Sequence, residues 1–418
     1  MVQTEKSLIG SWKLPILLLF GIGISGLGDY VYLIAINLLI LKMTHSAAAV
    51  AGLWIIGPII AILTNFWSGG FIDRGNKRKI LIITDFVRAI SVAIIPLLSS
   101  IWSIYLMLII ISLAKAFFTP ASTTYITKLI PSQQRKRFNS INSLVRSGAF
   151  IVGPSIAGAL FLFSSVDIAI YINAFSFAFS ACILFLMPNL DEKLKISDSQ
   201  KTRTYKILLN DWKDVIGAYK KQAFVFLVYS LYLGTIIFTF AMDAQEVVFT
   251  QKVIGLSETE FSLLVSITGI GYLLGSIFVS FMSHHLSIKQ LIGIGIMLMS
   301  AGYIIYSLSH HFTTAVIGFT ILGIFNAFSS TGFTTFYQNN IPIEMMGRIS
   351  SILGVFQNAA QVIFLLFIGF LGDIFSLRSI IVILSIFNFF IALIITFLIF
   401  KPEKNLYFME PSEKKESL

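Results

Sequence analysis

The sequence predicts an all-α integral membrane protein with twelve transmembrane helices in two pseudo-symmetric six-helix bundles. The 418-residue chain is 56% hydrophobic and only 12% charged, with a mean hydropathy of +0.87, which excludes a water-soluble domain. Twelve apolar windows are each long enough to cross a bilayer as a helix. The same short motifs also recur in both halves of the chain, as expected for a duplicated six-span unit.

The apolar windows define spans 1 to 12 in chain order. They cover residues 14–41, 47–68, 79–100, 103–126, 140–164, 166–188, 223–250, 259–283, 288–309, 312–337, 349–373 and 379–400. Span 1 is longer than the apolar core of a signal peptide and lacks a clear small-x-small cleavage site, so we expect it to be retained. The predicted regions are a first bundle over 1–188, a linker over 189–221, a second bundle over 222–400 and a tail over 401–418.

The positions of the cations predict the orientation. With both termini in the cytoplasm, the inner connections and the tails carry 24 of the 30 Lys and Arg residues. The outer connections carry only Lys42, Lys252 and Arg378. Because Lys and Arg near span ends are retained inside, this distribution explains the net charge of +10. We therefore expect contact with anionic lipid headgroups and no nucleic-acid partner.

Spans 2 and 3 are joined by a short polar loop. Its sequence is Gly69-Gly70-Phe71-Ile72-Asp73-Arg74-Gly75-Asn76-Lys77-Arg78-Lys79. The four cations place it in the cytoplasm. Gly75 and Asn76 predict a turn, because both residue types tolerate positive φ.

The long hydrophilic linker contains an amphipathic pattern. Apolar and aromatic residues recur at helical spacing at Tyr205, Leu208, Leu209, Trp212, Val215, Ile216 and Tyr219, with charges on the other faces. The pattern predicts a helix on the inner membrane surface, or alternatively a helix that binds a partner.

The two halves share motifs at one displacement. Thr123-Thr124-Tyr125, Ile130-Pro131, Arg137 and Ser140-Ile141 recur 211 residues later as Thr334-Thr335-Phe336, Ile341-Pro342, Arg348 and Ser351-Ile352. Several matches at a single displacement indicate an internal repeat. A duplicated six-span unit, with binding near the interface of the halves, is the architecture of many secondary transporters.

Ionisable residues within spans are candidates for function because they are costly to insert. Asp29 and Lys115 lie midway along spans 1 and 4, at similar depth. They either act in transport or form a permanent structural ion pair, which by itself is weak evidence of stability. Arg146 lies in span 5, where we expect it to neutralise an acid on a packed neighbour.

Two further acids lie in span 7. Asp243 and Glu246 are three residues apart on one face, toward the predicted outer end. Neighbouring carboxylates repel, which favours binding of a proton by one of them; the alternative is that both are solvated by the outer water. In span 3, Asp85 and Arg88 have the spacing of a local ion pair.

Small and amide residues mark two other spans. Span 5 carries Ala149-x-x-x-Gly153-Pro154-x-x-Ala157-Gly158, in which small residues permit close helix packing and Pro154 favours a bend. Gln357 and Gln361 share a face of span 11 and contact either substrate or a neighbouring helix.

The remaining chemistry gives no indication of an enzyme. All five histidines fall in predicted loops, Cys182 is the single cysteine, and the sequence has no nucleotide-binding loop. We therefore predict no catalytic residues, no metal site and no cofactor.

Twelve spans, two related halves and Gly69-x-x-x-Asp73-Arg74-x-x-Lys77-Arg78 together resemble the major facilitator superfamily. Within that family, the chain looks most like bacterial drug exporters of the macrolide-efflux type. The resemblance implies that spans 1, 4, 7 and 10 line a central cavity, with Asp29 and Lys115 as partners across it. It also implies that the span 5 motif is similar to an antiporter signature, with small-residue packing alone as the alternative.

The resemblance further implies an inner gate. Gly69, Asp73, Arg74, Lys77 and Arg78 would form it, with Asp73 accepting hydrogen bonds from the N-terminus of span 11 near Gly347 to Ile349. The alternative is that the loop only anchors topology.

The predicted function is therefore secondary active transport, namely proton-coupled export of lipophilic or cationic small molecules by alternating access. The expected setting is the bacterial plasma (inner) membrane, with the proton gradient as energy source, a small-molecule substrate and lipids as partners, and a functional monomer. The alternatives are a dedicated carrier for one metabolite, lipid or siderophore, and a sensor that uses the transporter fold without flux.

Overall fold

The computed structural model describes residues 12–65, 72, 75–191, 217, 222–282 and 285–409. Within these ranges the regular secondary structure is helical, and twelve helices are long and apolar enough to cross a membrane. They confirm the predicted spans, and we number them α1 to α12 in the same order. Their bounds are Lys13–Thr44, Ala47–Asn65, Lys77–Ile94, Ile101–Leu129, Ser132–Phe163, Val166–Leu186, Ala223–Ala244, Glu258–Phe281, Ile288–Ser307, Phe312–Asn340, Ile343–Ile374 and Leu377–Ile399.

The helix boundaries repeat with the displacement of the sequence motifs. α2 begins at Ala47 and α8 at Glu258, which are 211 residues apart. The same displacement separates the first residues of α3 and α9, α4 and α10, α5 and α11, and α6 and α12. It also separates the last residues of α4 and α10, which are Leu129 and Asn340. The internal repeat therefore extends from the motifs to the secondary structure.

α5 and α11 begin earlier than their apolar windows. Pro131 and Pro342 precede them with extended ψ values of 145° and 140°. Proline lacks a backbone N–H and fixes φ, so it is suited to the residue positions where a helix starts. Each helix then runs for nine residues before its apolar part, which begins at Ile141 in α5 and at Ile352 in α11.

This early start corrects one expectation about the loop contact. Gly347 to Ile349 lie inside α11 rather than at its N-terminus. The backbone N–H groups that a helix leaves unpaired are those of its first turn, which here follows Pro342. An anion that binds the N-terminus of α11 would therefore contact residues 343–346.

α7 ends in a distorted segment. α7 ends at Ala244, a short helical turn follows over Glu246–Val248, and Phe249–Ile254 forms a π-helix. Gly255 closes this segment in the left-handed region, with φ of 83°, where glycine is favoured. π-helical turns are rare overall, and those that occur are often found at functional sites. The end of α7 is therefore a candidate functional region.

The chain forms two compact units. The first contains α1 to α6 together with Ser257–Ser266, the beginning of α8. The second contains α7, the rest of α8 and α9 to α12. The start of α8 therefore packs with the helices of the first half of the sequence.

Each unit has its own packed interior. In the first, Tyr125 and Phe138 are buried in an apolar cluster with residues of α1, α3 and α6, and the Tyr125 hydroxyl donates to the Pro188 carbonyl at 2.7 Å. In the second, α9 and α10 cross where Gly302 faces Gly318, and a Cβ on Gly318 would lie 2.9 Å from the backbone nitrogen of Tyr306. Such close backbone approach is typical of helices packed in membranes.

Candidate functional site

Asp29 lies in the middle of α1, where it is half-buried. Arg88, Lys115 and Arg146 all act on its carboxylate electrostatically. None of these cations forms an ion pair with Asp29 in the described part of the chain. Asp29 and Lys115 therefore lie in one charged region but do not form the direct structural pair that was one of the two expectations.

Arg146 also belongs to this region. It lies on α5, which packs against α1, and its charge acts on Asp29 and on Tyr30. Both Arg146 and Lys115 are exposed on their helices. The sequence identified all three of these ionisable residues, but only the packing of α1 against α5 brings Arg146 near Asp29.

Arg88 is bound elsewhere, although its charge reaches Asp29. It pairs with Asp85, so the predicted local pair is present, and both residues are buried. The guanidinium lies between the rings of Phe118 and Phe177, 4.2 Å from each ring centre. A planar guanidinium stacks on aromatic faces in a way that an ammonium does not. These contacts hold Arg88 on Asp85, so that Asp29 has no ion pair with Arg88 among the described residues.

Glycines fix the position of α1 around Asp29. A Cβ on Gly28 would lie 2.2 Å from the Ser176 hydroxyl of α6, and a Cβ on Gly153 of α5 would lie 2.5 Å from the Tyr30 Cβ. Distances this short are not compatible with a larger side chain, so α5 and α6 approach α1 closely on both sides of Asp29. Gly153 and the neighbouring buried Pro154 belong to the span 5 motif, and its packing role is thus visible.

The rest of the span 5 motif faces the beginning of α8. A Cβ on Gly158 would lie 3.0 Å from the Ser262 Cβ, and Thr259 donates to the Gly158 carbonyl at 3.3 Å. The Ser155 hydroxyl donates to the Ser266 hydroxyl at 2.8 Å. At the same end, Lys42 of α1 forms an ion pair with Glu258 at 2.5 Å.

Asp243 and Glu246 lie where α7 ends. Asp243 is in the last turn of α7, and Glu246 starts the short helical turn that follows. Both are half-buried, and their charges act on each other. The Tyr303 hydroxyl of α9 donates to the Asp243 carboxylate at 2.7 Å. They are therefore not simply solvated surface acids.

The loop between α2 and α3 is held by the chain that follows α6. The Asp191 carboxylate accepts a hydrogen bond from the Lys77 backbone N–H at 2.6 Å and lies 3.5 Å from the Lys77 ammonium. It also accepts from the Lys128 ammonium at 2.7 Å. Burial alone would raise the pKa of the Asp191 carboxyl, but the hydrogen bonds from Lys128 and Lys77, with the charges of both lysines, hold that pKa below its ordinary value.

Two more contacts connect the same segments. The Asn76 side chain donates to the Asn189 side chain at 2.8 Å, and it also caps α3 by accepting from the Lys79 N–H. Arg78 donates to the Leu184 carbonyl at 3.0 Å and to the Phe185 carbonyl. Lys77 and Arg78, predicted as gate residues, therefore contact the end of α6 and Asp191, within the first unit.

For several predicted residues, the structure tests neither the gate nor the substrate contacts. Gly69, Asp73 and Arg74 lie outside the described residues, as does the amphipathic pattern of the linker apart from Gly217. Gln361 is buried in α11, and Gln357 is half-buried on the same helix. The gate and the substrate contacts of these glutamines stay predictions.

Some important residues were not singled out from the sequence. Tyr303 and Asp191 each bind a predicted residue from a segment distant in sequence. A tyrosine in an apolar helix and an acid at the edge of a charged linker have no distinctive local pattern.

The comparisons with known proteins agree with this architecture. The family model described as Major Facilitator Superfamily matches residues 18–250 and 231–417. Macrolide efflux protein A of Streptococcus pyogenes is 22% identical over 334 residues, which cover 76% of this chain and 77% of that protein. Multidrug efflux pump Tap of Mycolicibacterium fortuitum is 20% identical over 395 residues, covering 92% and 95%.

A solved structure with a similar fold is a bacterial homolog of the human lysosomal transporter Spinster, in an inward-facing and unoccupied conformation. It superposes with a TM-score of 0.72 at 14% identity, over 96% of this chain and all of that one. At this identity the likeness concerns the fold alone. Because the family model matches well over half of the sequence, the chain belongs to the major facilitator superfamily, whose fold is that of transporters rather than enzymes.

Proposed function

We propose that this transporter exports lipophilic or cationic small molecules in exchange for protons, by alternating access. Export of drugs is supported by the similarity to macrolide efflux protein A and multidrug efflux pump Tap, whose names state that activity for those proteins. The proposed setting is the bacterial plasma membrane, with both termini in the cytoplasm. The protein would work as a monomer on the proton gradient, without a cofactor.

The observation that carries this proposal is the state of Asp29. Its carboxylate is half-buried in a membrane helix, interacts with three cations and forms no ion pair among the described residues. An acid at this depth is costly unless it has a use. Without a permanent partner, the carboxylate is available to a proton in one state and to a cationic substrate in another. A proton or substrate that binds one conformation more tightly than the other shifts the equilibrium toward that conformation.

The test uses inverted membrane vesicles that hold a preset pH gradient. Adding drugs from a broad panel, including macrolides, is expected to release protons from wild-type vesicles, and Asp29→Asn is expected to abolish this release. Asp167→Asn is the matched control, because Asp167 lies in the first turn of α6, at the end of a span rather than within one. It should behave as wild type.

The possible outcomes separate the proposal from its alternatives. Proton release with one compound class only would indicate a dedicated carrier. No release with any compound, and no difference between wild type and Asp29→Asn, would overturn proton-coupled export. In that case a phenotype that survives joint neutralisation of Asp29 and Lys115 would favour a sensor without flux. A drug accumulation screen in a pump-deficient host then establishes direction and substrate class.

A further inference from the structure

A short segment after the last span packs back onto the second unit. Pro402–Phe408 forms a 3₁₀-helix that follows α12, and we call these seven residues the tail segment. Phe408 is only 5% exposed, whereas the other side chains of the tail segment are exposed or half-buried. 3₁₀-helices of this length are uncommon, because their hydrogen-bond geometry is poor. The position of the tail segment therefore depends on what it contacts in the rest of the unit.

Aromatic rings hold the tail segment against α7 and α10. The Phe408 ring stacks on the fully buried Phe336 ring of α10, with the ring centres 4.9 Å apart. The Phe224 ring of α7 lies 5.0 Å from the Tyr407 ring and meets the Phe408 ring edge-on at 6.2 Å. Aromatic pairs at these separations stabilise by more than the area that they bury. The tail segment thus bridges the beginning of α7 and the last turns of α10.

Polar contacts fix the same segment and add α9. The side chain of Asn340, the last residue of α10, donates to the Tyr407 carbonyl at 2.8 Å. Lys289, the second residue of α9, donates to the Asn405 side chain. The Lys289 ammonium also lies 5.5 Å from the centre of the Phe408 ring, within the range of a cation–π interaction. The beginnings of α7 and α9 and the end of α10 therefore all contact one segment.

Ring contacts continue from the tail segment along α7 and α10. Phe336 contacts Phe333, one turn earlier on α10, with ring centres 6.3 Å apart. Phe333 stacks on Tyr232 of α7 at 3.7 Å and lies 5.4 Å from the Tyr229 ring. Closely packed side chains transmit strain rather than absorb it. A segment that fixes Phe336 therefore acts on the packing of α7 against α10 over more than one turn.

The first half of the chain has an equivalent arrangement at the displacement of the internal repeat. Tyr125 corresponds to Phe336, and its hydroxyl donates to the Pro188 carbonyl in the chain that leaves α6. Arg78 corresponds to Lys289, and it donates to backbone carbonyls at the end of α6. Corresponding residues of the third and fourth helix thus contact the end of the sixth helix, or the chain after it, in both halves. The arrangement is repeated, although the types of contact differ.

We infer that the tail segment holds the beginnings of α7 and α9 and the end of α10 in one fixed arrangement, with Phe408 as the residue that anchors it. The anchoring follows from contacts within the second unit and does not depend on what the protein transports. Only its consequence for transport rests on the proposed function.

Distances between spin labels test this arrangement in the purified full-length protein. Cys182→Ala removes the single cysteine, and Ala223→Cys on α7 with Gln338→Cys on α10 then places two labels at exposed positions. Electron paramagnetic resonance should give a narrow distance distribution for this protein and a broader one after Phe408→Ala. Leu406→Ala is the matched control, because Leu406 belongs to the same segment but is 49% exposed. It should leave the distribution unchanged.

Trypsin provides an independent measurement. Trypsin does not cleave before proline, and Lys401 precedes Pro402, so the bond after Lys404 is the cleavage site within the tail segment. When opening is fast, the cleavage rate follows the population of the released segment. Phe408→Ala should raise this rate at least about tenfold, because losing a buried ring costs more than the roughly 1.4 kcal/mol that a factor of ten represents. Phe408→Leu should lie between it and wild type, and Leu406→Ala should match wild type.

Two further measurements make the cleavage rates interpretable. Synthetic peptides with the wild-type and variant tail sequences give the intrinsic rates after Lys404. Cleavage at Lys77 to Lys79, in the first unit, separates local release from unfolding of the whole protein and should not change in Phe408→Ala. An equal acceleration at both places would mean that Phe408 supports the entire fold, which would overturn a local anchor.

Three other results would also contradict the inference. These are wild-type cleavage after Lys404 as fast as in the peptide, equal cleavage rates in Phe408→Ala and Leu406→Ala, or label distances that Phe408→Ala leaves unchanged. Each would show that the tail segment does not hold the three helix ends.

The consequence for transport is measured separately, as efflux of a macrolide. Efflux should fall several-fold in Phe408→Ala and stay at the wild-type level in Leu406→Ala. Full efflux together with broadened distances would refute this consequence alone. An absence of efflux in wild type would refute the proposed function and leave the label distances and cleavage rates to decide the inference.

Discussion

The backbone N–H of Lys77, the first residue of α3, donates to the carboxylate of Asp191 at 2.6 Å. This contact joins the loop after α2 to the chain that leaves α6, two segments more than a hundred residues apart. An anion at a helix N-terminus interacts favourably with the helix dipole, and here Lys77 and Lys128 add positive charge. Asp191 thus holds the end of the loop that carries the family motif.

Replacing Asp191 by Asn should destabilise the protein by about 1 kcal/mol, the scale of a charged group at a helix N-terminus. The pKa of Asp191 in the folded protein lies below its unfolded value of about 3.9. The stabilisation by Asp191 is therefore complete above the unfolded pKa and is lost as the pH falls through the folded pKa. Thermal unfolding in detergent should therefore separate wild type from Asp191→Asn at neutral pH, and the difference should vanish in acid. A stability difference between wild type and Asp191→Asn that does not depend on pH would contradict this role of the Asp191 carboxylate. Asp167→Asn is the control.

A disulfide between α5 and the start of α8 should block transport. Ser155 and Ser266 have hydroxyl oxygens 2.8 Å apart, so the sulfurs of cysteines at the two positions would lie near each other. Because Cys182 is the single cysteine, Cys182→Ala gives a background without cysteine. In it, Ser155→Cys with Ser266→Cys should cross-link on mild oxidation, stop drug efflux and recover on reduction.

Ser155→Cys alone in the same background is the control for the cross-link and should stay active under oxidation. Full transport by the cross-linked protein would show that this contact persists through the cycle. Failure to cross-link would show that the two hydroxyls are not adjacent in the membrane.

Replacing Arg88 alone should cost more stability than replacing Arg88 and Asp85 together. Arg88→Met leaves the Asp85 carboxylate buried without a cation, which costs about 3–5 kcal/mol. Adding Asp85→Asn removes that charge while keeping a similar shape, so the double variant should recover much of the loss. Denaturant unfolding of the three proteins measures this. Equal stability of the single and double variants would mean that packing of the guanidinium between Phe118 and Phe177, rather than charge, dominates.

Two glycines of α5 offer a matched test of helix packing. A Cβ on Gly153 would lie 2.5 Å from the Tyr30 Cβ, whereas a Cβ on Gly148 meets nothing within 4 Å. Gly153→Ala should therefore cost about 1–3 kcal/mol through overpacking. Gly148→Ala should be neutral or should gain up to about 1 kcal/mol from better helix propensity. Thermal midpoints of the two variants provide the comparison, and equal effects would argue against close contact of α1 and α5.

Much of the architecture follows from local properties of the chain. The spans are visible because each needs about twenty apolar residues, and the 211-residue repeat is visible because related helices begin at related positions, such as Ala47 and Glu258. The starts of α5 and α11 were missed because their first nine residues are too polar for an apolar window. The prolines before them, Pro131 and Pro342, were the signal that marked the true starts.

For the candidate sites, the sequence identified the residues, whereas the tertiary structure determined their partners. The sequence identified Asp29, Lys115, Asp243 and Glu246 by the cost of placing a charge among apolar residues, which is a local property. It did not determine their partners, because a partner is set by which helices pack together and by how each is rotated. That Arg88 binds Asp85 rather than Asp29, and that Tyr303 donates to Asp243, depends on contacts between distant segments.

By itself, then, the sequence determined the class of protein, the twelve spans, the repeat and the acids worth testing, since each depends on composition or spacing along the chain. Tertiary structure alone decided that Asp29 has no ion pair among the described residues, that Asp191 holds the start of α3, and that Tyr303 of α9 donates to Asp243. The physical reason is that hydrogen bonds and ion pairs act over a few ångströms, and only packing brings residues separated by tens of positions within that distance.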